Sequence, residues 1–411
     1  MNGTTVKSAI VAALFALVAG PALAVDTLKI AYIDPLSGAF GNVGDAGLKH
    51  FRYAAELINA DGGAGGLTVE IVPFDNKTNP KESLVQLQKA IDQGIRIIAQ
   101  GNGSSVANAL TDAVNKHNKR NPGEEVIFLN YAAVDPALTN DKCNFWHFRF
   151  DANVDMKMAG MTDWLAEQPD IKSVYILGQD YSFGKAVSAA AQSMITEKRP
   201  DIEIVGNELH PIGKVKDFTP YVQKIMGAGA DAVITGNWGT DMTLLIKAAA
   251  DAGHEVPYLT YYGGGLGTPT AMGAAGVDKV KQITEFHENI ETTPEQIAKM
   301  DAFEAKHPDV DYYYQRVFTT MGMLDKAADE VGGGDVVAIA MALEGMTFET
   351  PYGTVEMRAD DHQLIQPLFI STFTDDVTRD VEGTGFGFKT DVEIPAAATA
   401  TPTTCKMRRP S

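Results

Sequence analysis

The chain has 411 residues, 45% of them hydrophobic, and its 34 Lys and Arg against 53 Asp and Glu give a formal charge of -19. That length suits two domains with sizeable cores. So acidic a chain is repelled by phosphate backbones and anionic lipid, which sets aside nucleic acid and membrane surfaces as partners and leaves a soluble binder of small molecules.

The amino end reads as an export leader. Lys7 is the only charged side chain before Asp26, and the apolar stretch from Ala9 to Ala19 falls well short of the roughly 20 residues that span a bilayer. Gly20 and Pro21 break the helix, and Ala22-Leu23-Ala24 has the small-x-small form of a signal peptidase site. A signal peptide over 1-24, cleaved after Ala24, is therefore expected, with a periplasmic mature chain. Losing Lys7 with the leader takes its formal charge from -19 to -20. The competing reading is a buried helix of the fold. No lipobox cysteine is present, so a lipid anchor is not expected.

Beyond the leader one unit recurs. Leu28 to Ile33 reads as a strand, followed by the turn-rich Asp34-Pro35-Leu36-Ser37-Gly38. A helical pattern from Gly44 to Ala60 then places Phe51, Ala54, Ala55 and Ile58 on one face. Further strands are predicted at Thr68 to Pro73, Ile95 to Gln100, Val126 to Asn130, Ser173 to Gly178, Ile202 to Val205, Ala232 to Thr235 and Tyr258 to Tyr261. Helices are predicted at Lys81 to Asp92, Val106 to Lys116, Asp155 to Glu167, Gly184 to Glu197, Pro220 to Met226 and Asp241 to Ala252. Strands alternating with helices imply parallel sheets covered on both faces. Phe148-Arg149-Phe150-Asp151 marks the first passage between the two domains. Three more helices are expected at Pro294 to Ala305, Arg316 to Val331 and Asp335 to Leu343, then a strand pair at Pro351 to Met357 and Pro367 to Phe373. The last 25 or so residues, rich in Ala, Thr and Pro, read as an irregular tail.

Two cysteines, Cys143 and Cys405, are present. In an oxidising compartment an even pair invites a disulfide that would pin the tail to the body, the alternative being two free thiols.

In open parallel sheets ligands bind outside the carboxyl ends of the strands. After the third strand, Gly101-Asn102-Gly103-Ser104-Ser105 opens a helix, and its free amides and hydroxyls suit a carboxylate. A serine there also simply N-caps helices. After the fourth comes Tyr131-Ala132-Ala133-Val134-Asp135-Pro136, small residues that expose backbone or form a plain loop. In the second series, Tyr181 and Phe183 follow one strand, Asn237 and Trp238 another, and Tyr261-Tyr262 precede the glycine-rich Gly263 to Gly267. Aromatics at such positions offer flat apolar walls with a polar handle, although each alone is commonly core.

Enzymatic signatures are wanting. The eight histidines are scattered outside any His-Glu-x-x-His frame, no Gly-x-Ser-x-Gly occurs, and Gly263 to Gly267 misses dinucleotide spacing because Thr268 and Thr270 fall at the third glycine. Asp360-Asp361-His362 reads as a solvated turn rather than a metal site.

Taken in order, Asp34 to Gly38 with Gly41 and Gly44, Asn59-Ala60-Asp61-Gly62-Gly63, Gly103-Ser104-Ser105, Ala132-Ala133 before Asp135-Pro136, Tyr181 to Gly184, and Ala230-Asp231-Ala232-Val233 before Trp238 form an ordered set. Over nearly all the mature chain this set resembles the periplasmic leucine/isoleucine/valine-binding family. The resemblance implies an α/β type I periplasmic-binding fold: two Rossmann-like lobes, each a parallel sheet flanked by helices, joined by a three-strand hinge. Residues 25-150 plus 285-366 would form lobe 1, and 151-284 plus 367-411 lobe 2 with the irregular tail. It also implies a monomeric binder without enzymatic activity, cofactor or metal, which closes on a small ligand and hands it to the permease of an ABC importer. A ligand-sensing partner of a membrane receptor would use the same fold.

Position by position, Ser104 falls where the family binds the ligand carboxylate, and Ala132 where a backbone carbonyl faces the amino group. Val134 stands in place of a threonine hydroxyl, and Tyr262 in place of the glutamate that neutralises the ammonium. An ammonium buried without a carboxylate is costly. An aromatic or apolar carboxylate is therefore expected, ahead of a branched-chain amino acid or an amide or urea-type ligand. The expected wall comprises Phe40, Asn102, Gly103, Ser104, Ser105, Tyr131, Ala132 and Ala133 from lobe 1. Lobe 2 adds Tyr181, Phe183, Asn237, Trp238 and Tyr262.

Overall fold

The computed structural model describes residues 26-410 and, ahead of them, Met1 alone. The leader and its cleavage site lie outside the described residues.

The first sheet is built from β1 (Thr27–Asp34), β2 (Thr68–Asp75), β3 (Ile97–Gln100), β4 (Ile127–Asn130) and β5 (His147–Arg149), in the order β2-β1-β3-β4-β5 with every pairing parallel. Its central strands read as unbroken apolar runs because helices cover both faces, and every residue of β3 and β4 is buried. The crossovers carry α1 (Gly41–Ala60), α2 (Pro80–Asp92) and α3 (Ser104–Arg120). The start of α2 is fixed locally: Pro80 occupies the first turn, and the Asn79 side chain accepts from the amides of Lys81 and Glu82.

The second sheet begins after α4 (Val154–Ala166). It holds β6 (Ser173–Gln179), β7 (Glu203–His210), β8 (Ala232–Thr235), β9 (Tyr258–Thr260) and β10 (Val280–Thr284), connected through α5 (Ser182–Lys198), α6 (Thr219–Ala228), α7 (Gly239–Asp251) and α8 (Thr268–Met272). These five strands are parallel, but the sheet as a whole is mixed. The chain returns to it at the end with β14 (Leu368–Thr374), antiparallel to β10, and β15 (Gly387–Ile394), antiparallel to β14.

Between these two visits the chain packs against the first sheet's side. There α9 (Pro294–Lys306) and α10 (Gln315–Val331) meet α1, α11 (Val336–Leu343) packs on α10, and a small sheet forms from β11 (Thr347–Thr350), β12 (Gly353–Met357) and β13 (Leu364–Ile365). The expected pairing of 351-357 with 367-373 is thereby corrected. The first segment pairs within the small sheet, and the second belongs to the large one, where its seven buried residues find two strand neighbours. The irregular tail is corrected in part as well, since its first residues form β15, an edge strand that needs few apolar residues of its own.

Three passages connect the two halves: after β5, after β10, and between β13 and β14. The first and third are stitched together. Arg149, fully buried, donates Nε to Gln363 Oε1 at 2.6 Å and Nη1 to the Asp135 carbonyl at 2.6 Å, and Gln366 Nε2 reaches the Phe150 carbonyl at 2.8 Å. Asp361 and His362 lie in this stitched region and are 1% and 0% exposed, so the reading of a solvated turn is also corrected. Arg358 holds the Asp361 carboxylate at 2.6 Å, and His362 Nε2 lies 2.9 Å from Glu344 Oε2.

After β15, α12 (Ala396–Thr399) packs on α4, and the tail then runs to the first lobe. There Cys405 is disulfide-bonded to Cys143, and the Thr403 hydroxyl donates to the Thr139 carbonyl at 2.8 Å. Among the described residues no helix is long and apolar enough to cross a membrane.

Candidate ligand site between the lobes

The carboxyl ends of β3 and β4 face those of β6, β8 and β9 across a cavity. Each strand end delivers its loop. Gly101 to Ser104 follow β3, Ala132 and Val134 follow β4, Tyr181 and Phe183 follow β6, Trp238 and Gly239 follow β8, and Tyr262, Gly265 and Leu266 follow β9.

The β3 loop presents the amino end of α3. Gly103 sits at φ 101°, a conformation that favours glycine, and among the described residues no side chain caps the helix. Its first amides and the positive end of the helix dipole therefore face the cavity wall. Ser104 is 2% exposed, and its Oγ accepts from the Asp135 amide at 3.3 Å, which leaves its own proton to donate.

A buried carboxylate holds this loop from beneath. Asp34 accepts from the amides of Gly101 (3.2 Å) and Asn102 (3.0 Å) and from the Tyr131 hydroxyl (2.6 Å). Burial pushes its carboxyl up to about 7, against the lowering effect of those hydrogen bonds. Close packing fixes the same loop, because a Cβ on Gly101 would come within 2.7 Å of the Tyr131 ring.

The opposite wall is aromatic. Trp238 Nε1 donates to the Tyr181 hydroxyl at 2.7 Å, and Phe183 lies with its ring centroid 5.9 Å from Tyr181 and 6.0 Å from Tyr262. The Tyr262 hydroxyl points to Asp151 Oδ2 at 3.4 Å.

The expected residues thus divide into two groups. Asn102, Gly103, Ser104, Ala132, Tyr181, Phe183, Trp238 and Tyr262 line the cavity together. The others surround it. Phe40 packs at a tilt behind Trp238 at 4.3 Å between ring centroids, and Ser105 Oγ meets Ser182 Oγ at 3.3 Å where the lobes touch. Tyr131 lies beneath the β3 loop, Ala133 exchanges hydrogen bonds with the Asn130 side chain, and Asn237 Oδ1 is 3.0 Å from His210 Nε2. The cavity also takes Val43 from α1, Tyr313 and Tyr314 from the segment leading into α10, and Arg316 from the first turn of α10. Sequence reasoning missed these because they follow no parallel strand; the aromatic run Tyr312-Tyr313-Tyr314 ahead of a helix was the available signal.

A family model described as periplasmic binding protein matches residues 27–378. Leu/Ile/Val-binding protein homolog 4 of Brucella abortus (strain 2308) is 31% identical over 416 residues, 98% of each chain. The solved closed conformation of the leucine-, isoleucine-, valine-, threonine-, and alanine-binding protein from Brucella ovis superposes with a TM-score of 0.84 at 30% identity, covering 94% of this chain and 100% of that one. An ABC transporter solute-binding protein from R. palustris, solved in complex with benzoate, gives a TM-score of 0.77 at 19% identity over 92% and 99% of the two chains, a likeness of fold. The two facing lobes, the loops at their strand ends and these relatives lead to one conclusion: the chain belongs to the periplasmic binding protein family.

Proposed function

We propose that the protein captures a small aromatic or apolar carboxylate in the periplasm by lobe closure and delivers it to the permease of an ABC importer. One observation carries the ligand class: among the described residues that line the cavity there are six aromatic rings and no Asp or Glu. A carboxylate can take the α3 amides and the Ser104 hydroxyl, whereas an ammonium buried there would lack an anion of its own. The lobes are taken as 25-150 plus 285-366 and 151-284 plus 367-411, with the end of the tail lying back on lobe 1. Phe40, Ser105, Tyr131, Ala133 and Asn237 then serve as supports for the residues that touch ligand.

A second reading, a branched-chain amino acid, draws on the Brucella ovis relative, whose name specifies leucine, isoleucine, valine, threonine and alanine. Thermal shift separates the two. Stabilisation by benzoate-type or phenylpropanoid acids, and none by leucine, is the expected result; stabilisation by leucine alone overturns the aromatic reading.

A further inference from the structure

One cation reaches the cavity wall. Arg316, in the first turn of α10, lines the cavity with its side chain 2% exposed, and its guanidinium lies 5.1 Å from the centroid of the Tyr314 ring. Nη1 meets Glu285 Oε1 at 2.5 Å and lies 3.8 Å from Asp151 Oδ2, while Asp151 also pairs with Lys157 Nζ at 2.8 Å. Two carboxylates and two cations leave this buried cluster neutral. Yet Arg316 Nε has no hydrogen-bond partner among the described residues.

A buried N–H without an acceptor is costly. A guanidinium offers only donors and does not give up its proton in proteins, so Nε needs an acceptor, and beside it on the cavity wall the Tyr313 hydroxyl is likewise unpaired among the described residues, so that an oxygen of the ligand can engage both. Ser104 is held by Asp135 and Asn108 and Arg316 by Glu285, so the two donor groups reach the cavity from separate networks. We infer that Arg316 is a specificity-determining residue, which reads a neutral oxygen acceptor, a carbonyl or hydroxyl oxygen, on the part of the ligand remote from the carboxylate. A second carboxylate is disfavoured there, because Glu285 already neutralises the guanidinium and Asp151 is neutralised by Lys157, which leaves no cation in the cluster to balance it. The inference rests on the carboxylate reading above.

Calorimetric titration of the full chain with benzoate, 4-acetylbenzoate and terephthalate tests it, since these differ only in the para group. The wild type should bind 4-acetylbenzoate about tenfold or more tighter than benzoate, the scale of one hydrogen bond to a charged donor, and terephthalate no tighter than benzoate. Arg316→Met should abolish the preference. Because that change strands Glu285, the double variant E285Q/R316M, which removes one charge of each sign, is measured beside it. Equal wild-type affinities for benzoate and 4-acetylbenzoate, a tighter terephthalate, or a preference that survives in the double variant overturns the inference and leaves the carboxylate reading standing. A double variant that folds and binds none of the acids overturns it too, since Arg316 would then serve the carboxylate or closure. Failure of all three acids to bind the wild type overturns the carboxylate reading, and this inference with it.

Discussion

Trp238 is held in the site by two different interactions. Its indole N–H donates to the Tyr181 hydroxyl at 2.7 Å, and its ring packs at a tilt on Phe40 from the opposite lobe, 4.3 Å between centroids. The ring therefore acts both as wall and as part of the seam between lobes, and truncation removes apolar area from each. Trp238→Ala is expected to raise Kd more than about tenfold, or about 1.4 kcal/mol, in calorimetric titration. Trp238→Phe, which keeps a ring but leaves Tyr181 without its donor, should cost less. An unchanged affinity in the alanine variant would return Trp238 to the packing of the core. Such residues were legible because aromatics recur at equivalent positions, after several short apolar strands, although each alone is commonly core. Arg316 was not. It opens a predicted helix, where a charged residue ordinarily faces water, and its burial depends on Glu285, 31 positions away, and on Asp151.

Helix α1 is locked to the segment leading into α10 through His50, which is fully buried. His50 Nδ1 lies 2.8 Å from the Ala46 carbonyl and Nε2 accepts from the Tyr314 amide at 3.3 Å, so these partners require the neutral ring protonated at Nδ1. Burial lowers its pKa from 6.5 to about 3. The sign follows directly: between those values the unfolded chain binds a proton that the folded chain refuses, so the contribution is complete above 6.5 and is lost as pH falls toward 3. His50→Gln keeps a donor and an acceptor but cannot titrate. In urea unfolding from pH 7 to pH 4, the wild type should lose stability more steeply than the variant, by up to about 1.4 kcal/mol per pH unit. Parallel curves would show that His50 does not govern this slope. The elements that carry His50 were plain in the sequence, since long amphipathic periods need only local information. Strands β5, β10 and β15 were not. Their sequences, His147-Phe148-Arg149, Val280-Lys281-Gln282-Ile283-Thr284 and the alternating Gly387 to Ile394, are polar enough to read as loops. They become strands only because a neighbour supplies the pairing edge, which is tertiary information.

At the scale of the molecule, three passages and one strap join the lobes. The strap is the tail, which leaves β15 in the second sheet and is fastened to the first lobe by the Cys143 to Cys405 disulfide. Without the bond it would keep non-covalent contacts alone: part-buried ones such as the Thr403 hydroxyl to the Thr139 carbonyl at 2.8 Å and the packing of Met407, and exposed ones such as Thr404 N to Asn140 Oδ1 at 2.9 Å and Arg409 Nε to Glu344 Oε1 at 2.8 Å, which are weak in water. The bond spans 262 residues, so it closes a loop holding most of both lobes and restrains the unfolded chain as a whole. Exchanging both cysteines for serine should therefore cost about 2–4 kcal/mol in urea unfolding, with the folded sheets retained. The tail should fray in the same variant. Limited trypsin digestion ought then to cut first after Lys406 and Arg408, sites that the oxidised wild type protects, because once Cys405 is released the segment around them is held by side-chain contacts of Met407 and Arg409 alone. An unchanged unfolding midpoint together with an intact tail would mean that the non-covalent contacts fasten the strap by themselves.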